Sequence, residues 1–292
     1  MDVDGTDRTR ALLHNETQIA DALGSLLAEM GENEKATEVL RKAVQLSPDH
    51  GFEKYLYLGQ MLVGNESLEC MRKGIDVLER ELLMVDGTRQ EELQTELCRA
   101  VCALAESTLN HAEEPAAVQE EVMQLLEKAA SLDEMCPEPL QVMASLYIEV
   151  DKPNEARDCL KKSMSLWFSF EQKDETQNEG KHAHEDPGEE TPPYEFRFET
   201  AKLLLELGEF ETAGEVLEGL LEEADSSLDV WYLLAISQHS LGDHEDARES
   251  VQAAAKLMKG MTPEDDYVLM FAELHESIEL AIAQESKGGE NQ

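Results

Sequence analysis

Apolar and small residues return along this chain at helical spacing, in segments that come two by two. The clearest stretch is residues 207–257, "LGEFETAGEVLEGLLEEADSSLDVWYLLAISQHSLGDHEDARESVQAAAKL". It holds two near-copies of one turn, "LGEFETA" and "LGDHEDA". Gly208 to Gly242, Ala213 to Ala247, Leu217 to Val251 and Leu220 to Ala254 all keep a step of 34 residues. Between the turns, apolar positions three and four apart predict amphipathic helices.

A fixed period of 34 built on helix–turn–helix predicts the tetratricopeptide repeat. Small residues then mark where two helices cross closely, and larger apolar residues fill the groove between them. The glycine lets the chain turn from one helix into the next. Asp243 and Glu245 fall at a helix start, where carboxylates meet unpaired amide N–H groups and the positive end of the dipole. The many acids of this stretch are thereby expected as caps and solvated faces.

The same pattern extends through most of the chain. Residues 18–50 carry it at Leu23-Gly24, Leu27, Gly31, Ala36, Leu40 and Ala43, and Pro48 is expected to stop the second helix. Leu58-Gly59 repeats Leu23-Gly24 after 35 residues, followed by Met71, Ile75 and Leu78. Residues 89–133 form a third pair in poor register, with Pro115 opening its second helix. The fourth pair has Leu140, Met143-Ala144, Tyr147, Ala156 and Leu160. Ala156 to Ala213 spans 57 residues, one period and an insertion of 23. That insertion, "EQKDETQNEGKHAHEDPGEETPP", has eight acids and nothing aliphatic larger than Ala183, so it is expected to stay disordered. After the sixth pair, "TPEDDYVLMFAELHESIELAIA" is expected to form a terminal capping helix with Thr262 as its cap, followed by a disordered tail. The expected fold is all-α: a tetratricopeptide-repeat solenoid of about six helix pairs with a C-terminal capping helix. Residues 11–170 hold four pairs, 171–193 the insertion, and 194–285 the remaining pairs and the cap.

Charge changes the picture most. Lys plus Arg is 24 and Asp plus Glu is 64, a formal net charge of −40. Such a surface repels nucleic acid and anionic membranes. It suits a basic partner, or it is a solvated acidic face with no partner. The five cysteines, Cys70, Cys98, Cys102, Cys136 and Cys159, show no zinc spacing and read as small core residues of a reducing compartment. His182 and His184 lack a third ligand, so no metal and no other cofactor is expected. The start, "MDVDGTDRTRALLHNE", has no apolar signal core, and no apolar run is long enough to span a bilayer. The expected location is cytoplasm and nucleus.

No phosphate loop, GxSxG or HExxH motif is present, so no enzyme is expected. Stacked helix pairs use their inner surface, lined by the first helix of each pair, for binding. Projecting the repeat onto the chain places Asp21, Glu29, Glu53, Gln60, Glu138, Gln141, Glu149, Glu195, Phe198, Lys202, Glu206, Asp229 and Tyr232 there. The partner-binding candidates are Asp21, Glu29, Glu53, Glu138, Glu149, Glu195, Phe198, Glu206, Asp229 and Tyr232. Phe198 and Tyr232 either offer apolar and cation–π contacts or pack between units. Trp231 sits at a large aromatic position and is expected in the core. Modules that clamp the C-terminal carboxylates of heat-shock chaperones need Lys and Asn in the first unit. Asp21 and Ser25 occupy those places, which argues against such a clamp.

Residues 192–235, "PPYEFRFETAKLLLELGEFETAGEVLEGLLEEADSSLDVWYLLA", resemble a particular family. They are similar to the tetratricopeptide assembly chaperones dedicated to large-subunit ribosomal protein four in plants and fungi. The matching residues are Tyr194–Arg197, Glu215–Glu223 and Asp229–Ala235. The resemblance implies a holdase that captures a newly made, strongly basic ribosomal protein, chiefly through an internal loop of that client, and delivers it for ribosome assembly. The partner is then that protein, with no direct nucleic acid or membrane contact, and the chain is expected as a monomer. A generic repeat scaffold, or a chaperone of histones or other basic proteins, is the alternative.

Overall fold

The computed structural model describes residues 3–168, 191–259 and 265–289. They form thirteen α-helices, with no strand among the described residues. By packing the chain divides into two units, residues 1–152 and 153–292.

The first unit contains α1 (Val3–Glu29), α2 (Asn33–Leu46), α3 (Glu53–Met61), α4 (Asn65–Leu82), α5 (Thr88–Asn110), α6 (Pro115–Leu132) and α7 (Glu138–Glu149). Short turns join α1 to α2, α3 to α4 and α5 to α6, and each pair packs as a hairpin. The first pair shows why its small positions are small. A Cβ on Gly24 would lie 2.4 Å from Leu40 Cδ2, and one on Gly59 would lie 2.4 Å from Met71 Cγ. Glycine is thus the condition for α1 to approach α2, and α3 to approach α4. Ala36, Leu40 and Ala43 complete the contact, each fully buried. The α2 helix ends at Leu46, two residues before Pro48, as that proline requires. Leu23 does not join the core: it is 44% exposed, because α1 is flanked by α2 and α3 on one side only.

The poor register of residues 89–133 has a physical cause. The α5 helix runs for 23 residues and α6 for 18, against nine for α3. The extra turns break the 34-residue step but not the packing. Leu93, Leu97, Val101, Leu104 and Leu109 of α5 are all buried, as are Val122 and Leu126 of α6. Cys98, Cys102 and Cys136 are buried here too, and the Cys136 thiol donates to Glu138 Oε2 at 2.8 Å. Interaction between the Cys98 and Cys136 thiols, together with burial, pushes the Cys136 thiol well above its usual range. Cys70 and Cys159, expected as core residues, are only half-buried.

The second unit contains α8 (Pro153–Met164), α9 (Tyr194–Glu206), α10 (Phe210–Glu223), α11 (Leu228–Leu241), α12 (His244–Met258) and α13 (Asp265–Gly289). It includes the two copies of the 34-residue turn. Gly208 and Gly242 have φ of 77° and 92°, the left-handed region that glycine enters at least cost. At each, the amide one residue on reaches back five residues: Glu209 N–H to Leu204 O and Asp243 N–H to Gln238 O, both 2.9 Å. These bonds satisfy carbonyls left open at a helix end. Ala213 and Ala247 are fully buried at equivalent places, and Leu217, Leu220, Val251 and Ala254 follow in register. Asp243 stands at the N-cap of α12, but its side chain makes no capping bond; Glu245 lies in the first turn, as expected.

The last helix packs on α12 and α11, with Phe271 and Ile278 buried against Ala235, Ala247 and Val251. A helix in the capping place is thus present. It continues to Gly289, beyond the point where the sequence pattern fades. The expected cap at Thr262 lies outside the described residues, as do residues 171–190 of the insertion.

Because Ala213 and Ala247 are fully buried, Ala→Leu at either should destabilise the fold by overpacking, about 1–3 kcal/mol. Chemical denaturation of each variant measures this through the midpoint at constant slope. Leucine tolerated at both positions would contradict the close crossing.

Candidate partner-binding surface

In the first unit the candidates are not a uniform row of free carboxylates. Asp21 on α1 faces a buried cation, Lys54, and the exposed Glu53 at the start of α3 lies nearby at Gly51. The Lys54 side chain is fully buried, and its ammonium lies 3.6 Å from Asp21 Oδ1. The meeting point is Gly51, at φ 74°: a Cβ there would lie 3.5 Å from Asp21 Oδ2, 3.6 Å from Lys54 Nζ and 3.9 Å from Glu53 Oε2. Glu81 closes the group by accepting the Gly51 N–H at 2.9 Å. The ion-pair partner of the ammonium is thus Asp21, while Glu53 and Glu81 gather about Gly51. Desolvation pushes the Glu53 carboxyl above its ordinary value, and the neighbouring Glu81 and Asp21 charges add to it. Nothing in the repeat pattern singles out Lys54 as a charge centre, although it sits one turn before the apolar Leu58.

The other acids of this unit differ in how far they are engaged. Glu29 accepts a hydrogen bond from Tyr57 Oη at 3.2 Å. Glu138 is half-buried and faces Arg99 at 3.9 Å. Gln141 is buried, while Gln60 and Glu149 are exposed.

In the second unit, Glu195, Phe198, Lys202 and Glu206 share one face of α9, three and four residues apart. Glu195 and Glu206 are exposed. Phe198 is half-buried: its ring stacks on Tyr194 with centroids 6.4 Å apart, and the Lys202 ammonium sits 5.8 Å from its centroid. The cation–π place on Phe198 already has an occupant from this chain. Asp229 and Tyr232 are held by α13. Asp229 Oδ1 accepts from Tyr267 Oη at 2.8 Å, and Tyr232 meets Phe271 edge to face at 5.3 Å. Tyr232 thus packs inside the unit. Trp231 packs beside the same core and donates its indole N–H to Asp225 O at 2.8 Å.

The "PPYEFR" motif has a structural role. Arg197 is buried, with its guanidinium bidentate on Glu223 at 2.6 and 2.7 Å and its Nε donating to Pro192 O at 2.9 Å. It ties the segment before α9 to the end of α10. The hydrogen bonds from Arg197 hold the Glu223 carboxyl below its ordinary value. Arg157 makes a similar tie from α8, to Glu209 at 2.8 Å and to Leu207 O at 2.6 Å.

Among the described residues, no three His, Cys, Asp or Glu side chains are placed to hold a metal ion. No described helix is long and apolar enough to cross a membrane. His182 and His184 lie outside the described residues.

The tetratricopeptide repeat family matches residues 18–50 and 198–264, the two stretches whose small and turn positions are described above. Those two stretches are tetratricopeptide repeats. A Schizosaccharomyces pombe protein named a probable assembly chaperone of rpl4 is 29% identical to this repeat protein over 248 residues, covering 80% of this chain and 69% of its own length. An Emericella nidulans protein of the same name is 29% identical over 227 residues, and the match spans about half (52%) of its length. Among solved structures, an assembly chaperone of RpL4, Acl4, superposes with a TM-score of 0.64 at 26% identity, covering 78% of this chain and 83% of that one. The resemblance read in residues 192–235 is shown by these relatives. A second structure, the Cut9–Hcn1 tetramer of the APC/C, reaches a TM-score of 0.57 at 9% identity over 43% of its chain and shares the fold alone.

The acidic cluster about Lys54 leads to a pH prediction. A carboxyl with a raised folded value binds its proton more tightly in the native state. Its contribution to stability is present below the unfolded value of about 4.5 and is lost as pH rises through the higher folded value. Because Glu53 is exposed and water screens its neighbours, Glu53→Gln should raise the melting temperature only slightly at neutral pH and leave it unchanged below about pH 4. Equal melting of the two proteins at neutral pH would refute the crowded site.

Proposed function

We propose that this chain is an assembly chaperone that binds a strongly basic large-subunit ribosomal protein and keeps it in solution until it is placed on the ribosome. The observation that carries this reading is the relatedness, across most of the chain, to proteins named assembly chaperones of rpl4, in sequence and in structure. The net charge of −40 supports it, since an acidic surface attracts a basic chain and competes with RNA for it. The role is binding rather than catalysis, in keeping with the relatives' names.

The finer features are part of the same proposal. The acids with the fewest internal ties, Glu149 in the first unit and Glu195 and Glu206 in the second, each receive basic residues of the client, chiefly of an internal loop as the resemblance implies. Asp21, Glu53 and Asp229 contribute field more than direct contact, because they already answer Lys54, their neighbours or Tyr267. The chain works as a monomer in cytoplasm and nucleus, without direct contact to nucleic acid. Release follows when ribosomal RNA, a denser polyanion, takes the client.

Charge reversal tests this with purified basic ribosomal protein. Reversing Glu149, Glu195 and Glu206 to Lys should weaken capture far more than reversing Asp174, Glu175 and Glu179 in the insertion, with helicity unchanged in both. The two triple variants alter net charge equally. Capture by the unaltered chain should also slow with salt, as screening shortens from about 10 Å at 0.1 M to about 3 Å at 1 M. Equal losses in the two variants would mean that bulk charge holds the client and would overturn the assignment to these positions. No capture by the unaltered chain would overturn the chaperone reading itself.

A further inference from the structure

The α1 helix carries an apolar seam that the repeat stack does not use. Ile19, Leu23, Leu26 and Met30 are 67%, 44%, 52% and 66% exposed. Their spacing is four, three and four residues. At 100° per residue the four side chains fall within an arc of about 60°. The Met30 amide still donates to Leu26 O at 3.0 Å, so the seam runs unbroken to the end of the helix, about 17 Å in length. Gly24, pressed against Leu40 of α2, lies about 130° around the helix from the seam, and Asp21, facing Lys54 of α3, about 170° away. The seam is therefore the edge of α1 opposite the stack. Terminal repeats keep a polar outer face for solubility; this one presents four large apolar side chains.

Three features define what fits. A narrow stripe in the four–three rhythm is the seam of helix-to-helix packing, narrower than the face a helix turns to a broad core. It therefore fits one helix. Its flanks are acidic: exposed Glu16 lies on one side and exposed Glu29 on the other, and residues 16–30 contain no Lys or Arg. A second copy of this chain would bring the same carboxylates and another net charge of −40 against them. We infer that the outer edge of α1 docks an amphipathic helix of a partner protein whose apolar stripe is flanked by Lys or Arg. This surface lies beyond the acidic-face reading and stands on the apolar seam, sharing Glu29 with that reading.

The test uses the full chain and a fluorescein-labelled synthetic peptide with Leu at the a and d positions, Lys at e and g and Ala elsewhere. Anisotropy is read in high salt, where exposed charge attraction is screened to well under about 10 Å. The unaltered chain should bind saturably. Ile19→Asp with Leu26→Asp should weaken binding by about tenfold or more, since two apolar anchors are lost. A scrambled peptide of the same composition should bind no better to the unaltered chain than the ordered peptide binds to that double variant. In low salt, Glu16→Lys with Glu29→Lys, which leaves the seam intact, should also weaken binding of the ordered peptide. Both double variants replace exposed side chains and should keep the helical circular dichroism. Undiminished binding by either double variant overturns the inference. So does light scattering that finds a dimer which the Ile19→Asp/Leu26→Asp variant splits, because a second copy would then be the occupant.

Discussion

The close crossing of paired helices at small side chains is the constraint on which the rest of this structure depends. Gly24 against Leu40 and Gly59 against Met71 leave no room for a methyl group, and Ala36, Ala213 and Ala247 are fully buried. A pair joined this way buries one side of each helix and leaves the other for the next pair. The 34-residue step is the sequence record of that geometry, because each pair must return the same small residues to the same contact. Where extra turns enter, as in α5 and α6, the core persists through larger aliphatic side chains and the step is lost.

Charge is managed around that frame. The chain holds far more acids than bases, and three of its cations are used at joints. Arg197 ties the start of α9 to Glu223 at the end of α10, and Arg157 reaches from α8 to the C-terminal carbonyls of α9. Lys54 is buried facing Asp21. A buried cation of this kind is held in place by its carboxylate partner, since removing Asp21 would leave an uncompensated charge. Acids drawn into such joints are less free to meet a partner. Those outside them, such as Glu195 and Glu206, keep their water and their field.

Part of the candidate site was legible in the sequence and part was not. The face of α9 carrying Glu195, Phe198 and Glu206 follows from helical spacing alone; the two acids are exposed, and Phe198 is half-buried against Tyr194 and Lys202. Tyr232 was open between contact and packing; the α13 helix decides for packing, because Phe271 comes to its ring from 39 residues further along the chain. Asp229 is taken by Tyr267 for the same reason. Arg197 belonged to the motif that pointed to the assembly chaperones, but its spacing says nothing of the clamp on Glu223, which needs α9 and α10 folded together.

The sequence by itself determined the helical class, the repeat, the turn glycines and the acidity, because each rests on neighbours within one period of the chain. Spacing of apolar positions, the left-handed turn and net charge are local or additive properties. Tertiary structure alone decided which charges are spent internally and which apolar faces remain uncovered. Lys54 finds Asp21 from 33 residues away, and Leu23 stays exposed only because α1 has neighbours on one side. Both depend on which helix lies beside which, and that information appears only when the pairs are stacked.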